Sequence, residues 1–203
     1  MLKLMAVCTG NICRSPLAEA LLRTRLVDLD VVTSSAGTRA RDGSPMTAQT
    51  VALASAMDIP PERAVNHAAR LLNPQLLSGV DLVLAMGREH RRDVVEMQPS
   101  AMRRAFTIRE FARLAGSCSD ADFVEVAAGA ALAETSRSER FAAALALLAA
   151  RRGVVPPPES PSDDDVVDPY RRSTATYERA LREMLPGLAA VERVVRLVCS
   201  ASR

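Results

Sequence analysis

Four short runs of apolar or β-branched residues, "LKLMAV" (2–7), "VVTSSA" (31–36), "VDLVLAM" (80–86) and "RRAFTI" (103–108), alternate with stretches of helical spacing at 15–28, 45–57 and 87–97. A last helical stretch spans 174–198. Strands joined by helical crossovers pair in parallel, and a parallel sheet must be covered on both faces because its strands are apolar on both sides. The sequence therefore predicts an α/β fold: a four-stranded parallel sheet with helices on both faces, in a Rossmann-like three-layer arrangement. With 203 residues, 48% of them apolar, the chain reads as a single domain, 1–203. Ligands of such sheets bind beyond the carboxyl ends of the strands, so the segment after the first strand is the first place to look for chemistry.

The alternation lapses between 110 and 167. The alanine-rich stretch "SDADFVEVAAGAALAETSRSERFAAALALLAARRG" predicts helices starting at Ser119 and Ser136, with a stop at Gly153. It reads as a helical insertion at about 111–160. The proline-rich "VVPPPESPSDDDVVDPYRRS" then predicts a long exposed loop, with Asp163, Asp164 and Asp165 as a solvated charge run.

The balance of 26 basic and 24 acidic residues, net +2, argues against nucleic-acid binding through a basic stripe. All the basic residues except Lys3 are arginine, so arginine number alone says little about anion binding. No apolar run reaches the roughly 20 residues that cross a bilayer, and "MLKLMAVC" is too short for a secretory signal, so the cytoplasm is expected. Cys8, Cys13, Cys118 and Cys199 have neither CxxC spacing nor the density of a disulfide framework, and only His67 and His90 could join them as metal ligands. Thiol chemistry is expected, without metal or other cofactor.

The stretch "AVCTGNICRSP" (6–16) carries that chemistry. Thr9, Gly10 and Asn11 are small or turn-competent, so the five residues between Cys8 and Arg14 can curl into a nest of inward N–H groups before a helix. Ser15 and Pro16 read as the cap and first residue of that helix. A phosphate suits such a nest, Arg14 can clamp two of its oxygens, and the same donors favour a thiolate on Cys8 aimed at phosphorus. The Cys-x5-Arg spacing is weak by itself in an arginine-rich chain. The strand before it, Gly-Asn within it, Ser-Pro after it and the helix beyond give it meaning. Transfer of phosphorus to sulfur needs an acid for the leaving oxygen, and Asp168 in "DVVDPYRRS", stiffened by Pro169, is the candidate.

"VCTGNICRSPLAEA", "SSAGT", "HAARLL", "DLVLAM" and "DPYRRS" occur in the order in which they occur in the low-molecular-weight protein tyrosine phosphatases, and the chain resembles that family, in its bacterial form, nearly throughout except for the insertion. The resemblance implies the family's phosphotyrosine phosphatase I-like fold and hydrolysis of phosphotyrosine monoesters. Cys8 matches the nucleophile that becomes phosphocysteine, Arg14 the phosphate clamp, and Asp168 the general acid that then activates water. Thr9, Gly10, Asn11, Ile12 and Cys13 match the backbone nest, and Ser15 the hydroxyl that stabilises the thiolate. Asn11, Ser35 and His67 match the support of the loop, and Tyr170 one wall of the substrate slot. Cys13 matches a second cysteine that forms a disulfide with Cys8 under peroxide. The implied partner is a phosphotyrosine-containing protein, with a tyrosine kinase as one such substrate.

Where relatives carry an aromatic or large apolar residue on the pocket rim, this chain has Arg41, read as pointing to solvent. Stacking of its guanidinium and attraction of acidic flanking residues are the alternatives. His90 reads as a surface residue, Tyr177 as a helix-face residue, and Cys118 and Cys199 as incidental thiols. Two other functions share the same features: a thiol-dependent arsenate reductase, which needs a cysteine relay that Cys118 and Cys199 are poorly spaced to form, and a non-catalytic phosphoprotein-binding or redox-sensing module.

Overall fold

Strand β1 (Leu2–Cys8) is buried at every position except Lys3. It lies between β2 (Val31–Gly37) and β3 (Leu82–Ala85), with β4 (Ala105–Thr107) outermost, in a four-stranded sheet of order β2-β1-β3-β4 paired in parallel throughout. The computed structural model of the chain describes residues 1–131 and 136–200. Chain order reverses at β1, with β2 on one side and β3 on the other. This is the switch point at which the strand's carboxyl end opens a crevice, and Cys8 is its last residue, in register with Gly37.

The helices are α1 (Arg14–Arg25), α2 (Ala48–Ala56), α3 (Pro61–Val65), α4 (Pro74–Leu77), α5 (Arg88–Met97), α6 (Ile108–Gly116), α7 (Asp120–Ala131), α8 (Arg137–Arg151) and α9 (Thr174–Ser200). Alternation along β1 sends Leu4, Ala6 and Cys8 into one core, shared with α1, α6, α8 and α9, and Met5 and Val7 into a second core with Leu77 of α4 and Val94 of α5. Helices thus cover both faces, as the four apolar runs predict. The short α3 and α4 have too few residues to leave a periodic signal.

Helix α6 overlaps the start of the stretch read as an insertion, yet it lies at the heart of the main core. Thr107 and Glu110 form a capping box at its start, and Ile108, Phe111, Leu114 and Ala115 are buried against α9. The approach to α9 is so close that a Cβ at Gly187 would collide with the Ile108 carbonyl. Helices α7 and α8 pack on each other and on α9. Ser119 and Ser136 cap them through reciprocal bonds with Asp122 and Glu139. Residues 132–135 of the alanine-rich stretch lie outside the described residues.

The aspartate run departs from expectation. Asp163 and Asp164 belong to a 3-10 turn (Pro161–Asp164); Asp164 is ion-paired with Arg113 of α6, and Asp165 with Arg88 of α5. Arginines on two helices reach the run, so it anchors the following loop rather than standing free in solvent.

Candidate active site

The turn from β1 into α1 is held by its carbonyl groups. Those of Cys8 and Thr9 accept from the Thr38 and Arg39 N–H groups, that of Ile12 from Thr47 N–H, and that of Cys13 from Leu17 N–H. The Asn11 N–H points inward and donates to Cys8 Sγ at 3.3 Å. Asn11 adopts φ 54°, the left-handed region that an asparagine tolerates better than most residues. Gly37 makes the close approach possible, because a Cβ there would collide with the Thr9 carbonyl.

Asn11 is fully buried and is the hub of the loop. Its Nδ2 donates to Ser15 Oγ (3.0 Å) and Ser35 Oγ (2.8 Å), its Oδ1 accepts from Arg70 N–H (2.8 Å), and its carbonyl accepts from His67 Nε2 (2.7 Å). Burial lowers the His67 pKa from 6.5 despite the bond to Asn11, in keeping with a neutral ring that carries its proton on Nε2. Ser35 in turn donates to Glu19 Oε2 at 2.6 Å. Glu19 and Arg70 escape sequence reasoning because each acts through a partner distant in the chain.

Ser15 does not cap α1. The helix starts at Arg14, its N-cap Cys13 makes no side-chain cap bond, and Ser15 Oγ instead lies 3.0 Å from Cys8 Sγ. The helix start leaves its first N–H groups uncapped by side chains, facing the place where an anion would sit.

Arg14, only 6% exposed, joins this loop to a second one. Its Nη1 donates to the Val166 carbonyl (3.0 Å), and its Nη2 lies 3.2 Å from Asp168 Oδ2 and 3.5 Å from Thr9 Oγ1. Its Nε is buried with no protein partner among the described residues. Asp168 is 54% exposed, and its Oδ1 accepts from Tyr170 N–H at 3.2 Å. Upstream, Asp165 accepts from the Arg88 N–H (2.7 Å) and is gripped by the Arg88 guanidinium at both oxygens, while Val167 N–H donates to Glu183 (2.8 Å). Burial pushes the Asp165 carboxyl up, but the Arg88 bonds prevail and lower it from 3.8.

His90 is not a surface residue. It is 1% exposed, and its Nε2 lies 2.8 Å from Thr9 Oγ1 and 3.3 Å from Glu89 Oε1, while its Nδ1 is buried with no partner among the described residues. Burial first, then the charge of Arg14, lowers its pKa from 6.5. The arginines around it mask any sequence signal. Tyr177 is buried as well, with its hydroxyl 3.7 Å from Cys13 Sγ, and Thr47 Oγ1 lies 3.6 Å from that sulfur. Burial raises the pKa of the Cys13 thiol from 9.0 and that of the Tyr177 phenol from 10.0.

A cavity of 410 Å³ opens above Cys8, with Ile12, Arg14, Arg41, Asp168 and Tyr170 on its walls; Thr9, Gly10, Cys13 and Arg39 also line it. Thr9, Gly10, Ile12 and Cys13 of the nest, the clamp, the acid candidate and both rim residues named from sequence thus share one pocket, while Asn11, the remaining nest residue, Ser15, Ser35 and His67 do not line it. Arg41 is exposed on the rim, and Tyr170 stacks beneath Arg171 at 5.2 Å. Cys118 and Cys199 are absent from its lining. Among the described residues no group of three or more His, Cys, Asp or Glu side chains could hold a metal ion, and no helix is long and apolar enough to cross a membrane.

The family model for low molecular weight phosphotyrosine protein phosphatase matches residues 3–125. The chain is 36% identical over 110 residues to a probable low molecular weight protein-tyrosine-phosphatase, EpsP, of Ralstonia solanacearum, covering 53% of this chain and 70% of that protein. It is 35% identical over 107 residues to a protein-arginine-phosphatase of Bacillus subtilis, covering 52% and 69%. The chain spans about two thirds of the length of the curated relatives it matches. The crystal structure of a low molecular weight protein tyrosine phosphatase from T. tengcongensis superposes with a TM-score of 0.63 at 25% identity, over 94% of this chain and 97% of that one.

Proposed function

The chain belongs to the low molecular weight phosphotyrosine protein phosphatase family, and on that premise we propose that it hydrolyses phosphotyrosine monoesters through a phosphocysteine on Cys8. The observation that carries this reading is the convergence of Cys8, Arg14 and Asp168 on one 410 Å³ pocket. The phosphate dianion lies in the nest, with its oxygens taken by loop N–H groups and by the Arg14 fork, including the Nε that has no protein partner among the described residues. An incoming dianion competes with Asp168 for Arg14, so the carboxyl group is free to turn toward the ester oxygen. The Cys8 thiolate attacks phosphorus, the P–O bond to the tyrosyl oxygen breaks, and Asp168 gives that oxygen a proton. Asp168 then takes a proton from water as the water attacks phosphocysteine. Cys8 leaves as a thiolate, with the Ser15 hydroxyl 3.0 Å away to receive its charge.

The same reading makes Cys13 a guard of the nucleophile. Peroxide converts Cys8 to a sulfenic acid, and the Cys13 thiol condenses with it to a disulfide, releasing water. The enzyme then belongs in the cytoplasm, where a reactive thiol stays reduced, acting on phosphotyrosine proteins that include a tyrosine kinase.

Phosphoarginine is a second reading, because a 35% identical relative is a protein-arginine-phosphatase. The pocket favours the aryl ester: Ile12 and Tyr170 supply apolar walls, Asp168 is the only carboxylate in the lining among the described residues, and Arg39 and Arg41 oppose a guanidinium-bearing side chain. Phosphate release is measured from matched phosphotyrosine and phosphoarginine peptides, beside arsenate reduction with a thiol donor. Hydrolysis of the phosphotyrosine peptide that Cys8→Ser abolishes supports the reading. Faster release from phosphoarginine, arsenate turnover without ester hydrolysis, or release that survives Cys8→Ser overturns it.

A further inference from the structure

We propose that the mouth of the pocket selects phosphotyrosine flanked by acidic residues; this rests on the phosphatase reading and adds the kind of polypeptide it takes. Arginines are spread over the whole surface, but many are already neutralised. Arg88, Arg113, Arg152, Arg193 and Arg196 each hold a carboxylate within 3 Å. Three exposed arginines at the mouth do not. Arg39 and Arg41 line the pocket and Arg171 lies over the Tyr170 ring, and among the described residues none of the three has a carboxylate partner. The acidic neighbour on the same loop, Asp42, turns one carboxylate oxygen, Oδ1, to the Leu71 N–H at 2.6 Å and makes no ion pair with the three arginines.

These charges are placed, not merely present. The loop that carries Arg39 and Arg41 is bonded to the phosphate loop itself, through Thr38 N–H to the Cys8 carbonyl and Arg39 N–H to the Thr9 carbonyl, each at 2.9 Å. Gly43 and Ser44 pair with Ala69 to fasten its far end. On the loop that carries Asp168, Arg171 adopts φ 58° in a turn closed by Arg172 N–H to the Pro169 carbonyl, and its guanidinium lies 5.2 Å from the centre of the Tyr170 ring. A phosphotyrosine that reaches Cys8 therefore passes arginines carried on anchored backbone in both loops. A polypeptide with Glu or Asp on each side of the phosphotyrosine gains charge-assisted pairs there, whereas one with Lys meets like charge. The arrangement needs no ordering of the rim on binding beyond the arginine side chains themselves.

The test compares two phosphotyrosine peptides of equal length, one flanked by Glu and one by Lys, with p-nitrophenyl phosphate as a substrate that has no flanks. At low salt the ratio of kcat/KM, Glu over Lys, is expected at about fivefold or more for three exposed pairs. It should fall toward one as salt shortens the Debye length to about 3 Å near 1 M. The double variant R41E/R171E should invert the ratio, measured within that variant so that any general loss of activity cancels. A ratio of one or less in the wild-type enzyme, a ratio that salt does not move, or one that survives the charge reversal overturns the proposal. Turnover of p-nitrophenyl phosphate with equal rates on the two peptides removes this proposal alone. Failure to hydrolyse any of the three substrates removes the phosphatase reading with it.

Discussion

Asn11 and Asp168 sit on two loops that share Arg14, and the loops are held by different forces. Around Asn11 the bonds are short, buried or part-buried, and run between neutral groups: amide to hydroxyl, amide to backbone, imidazole to carbonyl. Around Asp168 they are ionic and partly wet: Arg14 with Asp168, Arg88 with Asp165, and Arg113 with Asp164. Bonds between neutral groups respond little to salt and fix one geometry, with the His67 ring the one titratable member among these four. Ion pairs at half-exposed sites exchange partners at little cost. The proposed mechanism asks the first loop to present the same N–H groups to every substrate, which neutral bonds suit, and asks the carboxyl group of the second to leave Arg14 and turn to the ester oxygen, which exchangeable ion pairs suit.

Both loops are disturbed most severely at the residue common to them. Arg14→Ala removes the proposed phosphate clamp together with its bonds to the Val166 carbonyl and Asp168, and should lower kcat/KM for p-nitrophenyl phosphate by about 10³-fold or more. Asp168→Asn should leave the phosphate loop intact but lower kcat/KM about 10²–10³-fold with phenyl phosphate, whose leaving oxygen needs the proton, and far less with p-nitrophenyl phosphate. A loss equal on both substrates would refute the acid assignment. Asn11→Ala strands the hydrogen-bonding groups it satisfied and adds strain at φ 54°. Urea unfolding should show a loss of about 2–3 kcal/mol that added salt does not change.

The gentler perturbations sharpen the contrast. Arg88→Ala frees Asp165 and should cost under about 1 kcal/mol in stability. It should also slow phenyl phosphate more than p-nitrophenyl phosphate, an effect that high salt reproduces in the wild-type chain. A salt effect identical in both substrates would place the clamp outside the acid step. The smallest effect comes from the histidines. Burial lowers the pKa of both His67 and His90 from 6.5, so on acidification the unfolded chain takes up protons before the folded one. Stability should therefore be full above about pH 6.5 to 7 and decline below it, until the folded rings protonate as well. Replacing His90 by Gln should flatten the thermal melting curve against pH in that window.

The four strands, the flanking helices and the Cys8–Arg14 loop are legible in the sequence because their signals are local: an apolar run, a helical spacing, a turn-competent stretch. Asp168 is legible only through its proline and tyrosine neighbours. Helix α6 escapes notice because its capping signal, Thr107 with Glu110, falls where the strand rhythm breaks off, and only its packing on α9 reveals it as part of the core. His90 and Tyr177 read as surface and helix-face residues because their partners, Thr9 and Cys13, stand 81 and 164 positions away in the chain. The aspartate run misleads for the same reason. A string of like charges looks solvated until arginines from α5 and α6 are brought against it.

The central claim, that Cys8 carries the phosphoryl group and Asp168 governs its entry and release, is tested most directly by rapid acid quench and mass spectrometry of the enzyme during turnover of p-nitrophenyl phosphate. A phosphate adduct on Cys8 is expected, accumulating further in Asp168→Asn, where water attack lacks its base, and absent from Cys8→Ser. An adduct on another residue, or turnover without any adduct in either form, would contradict the account.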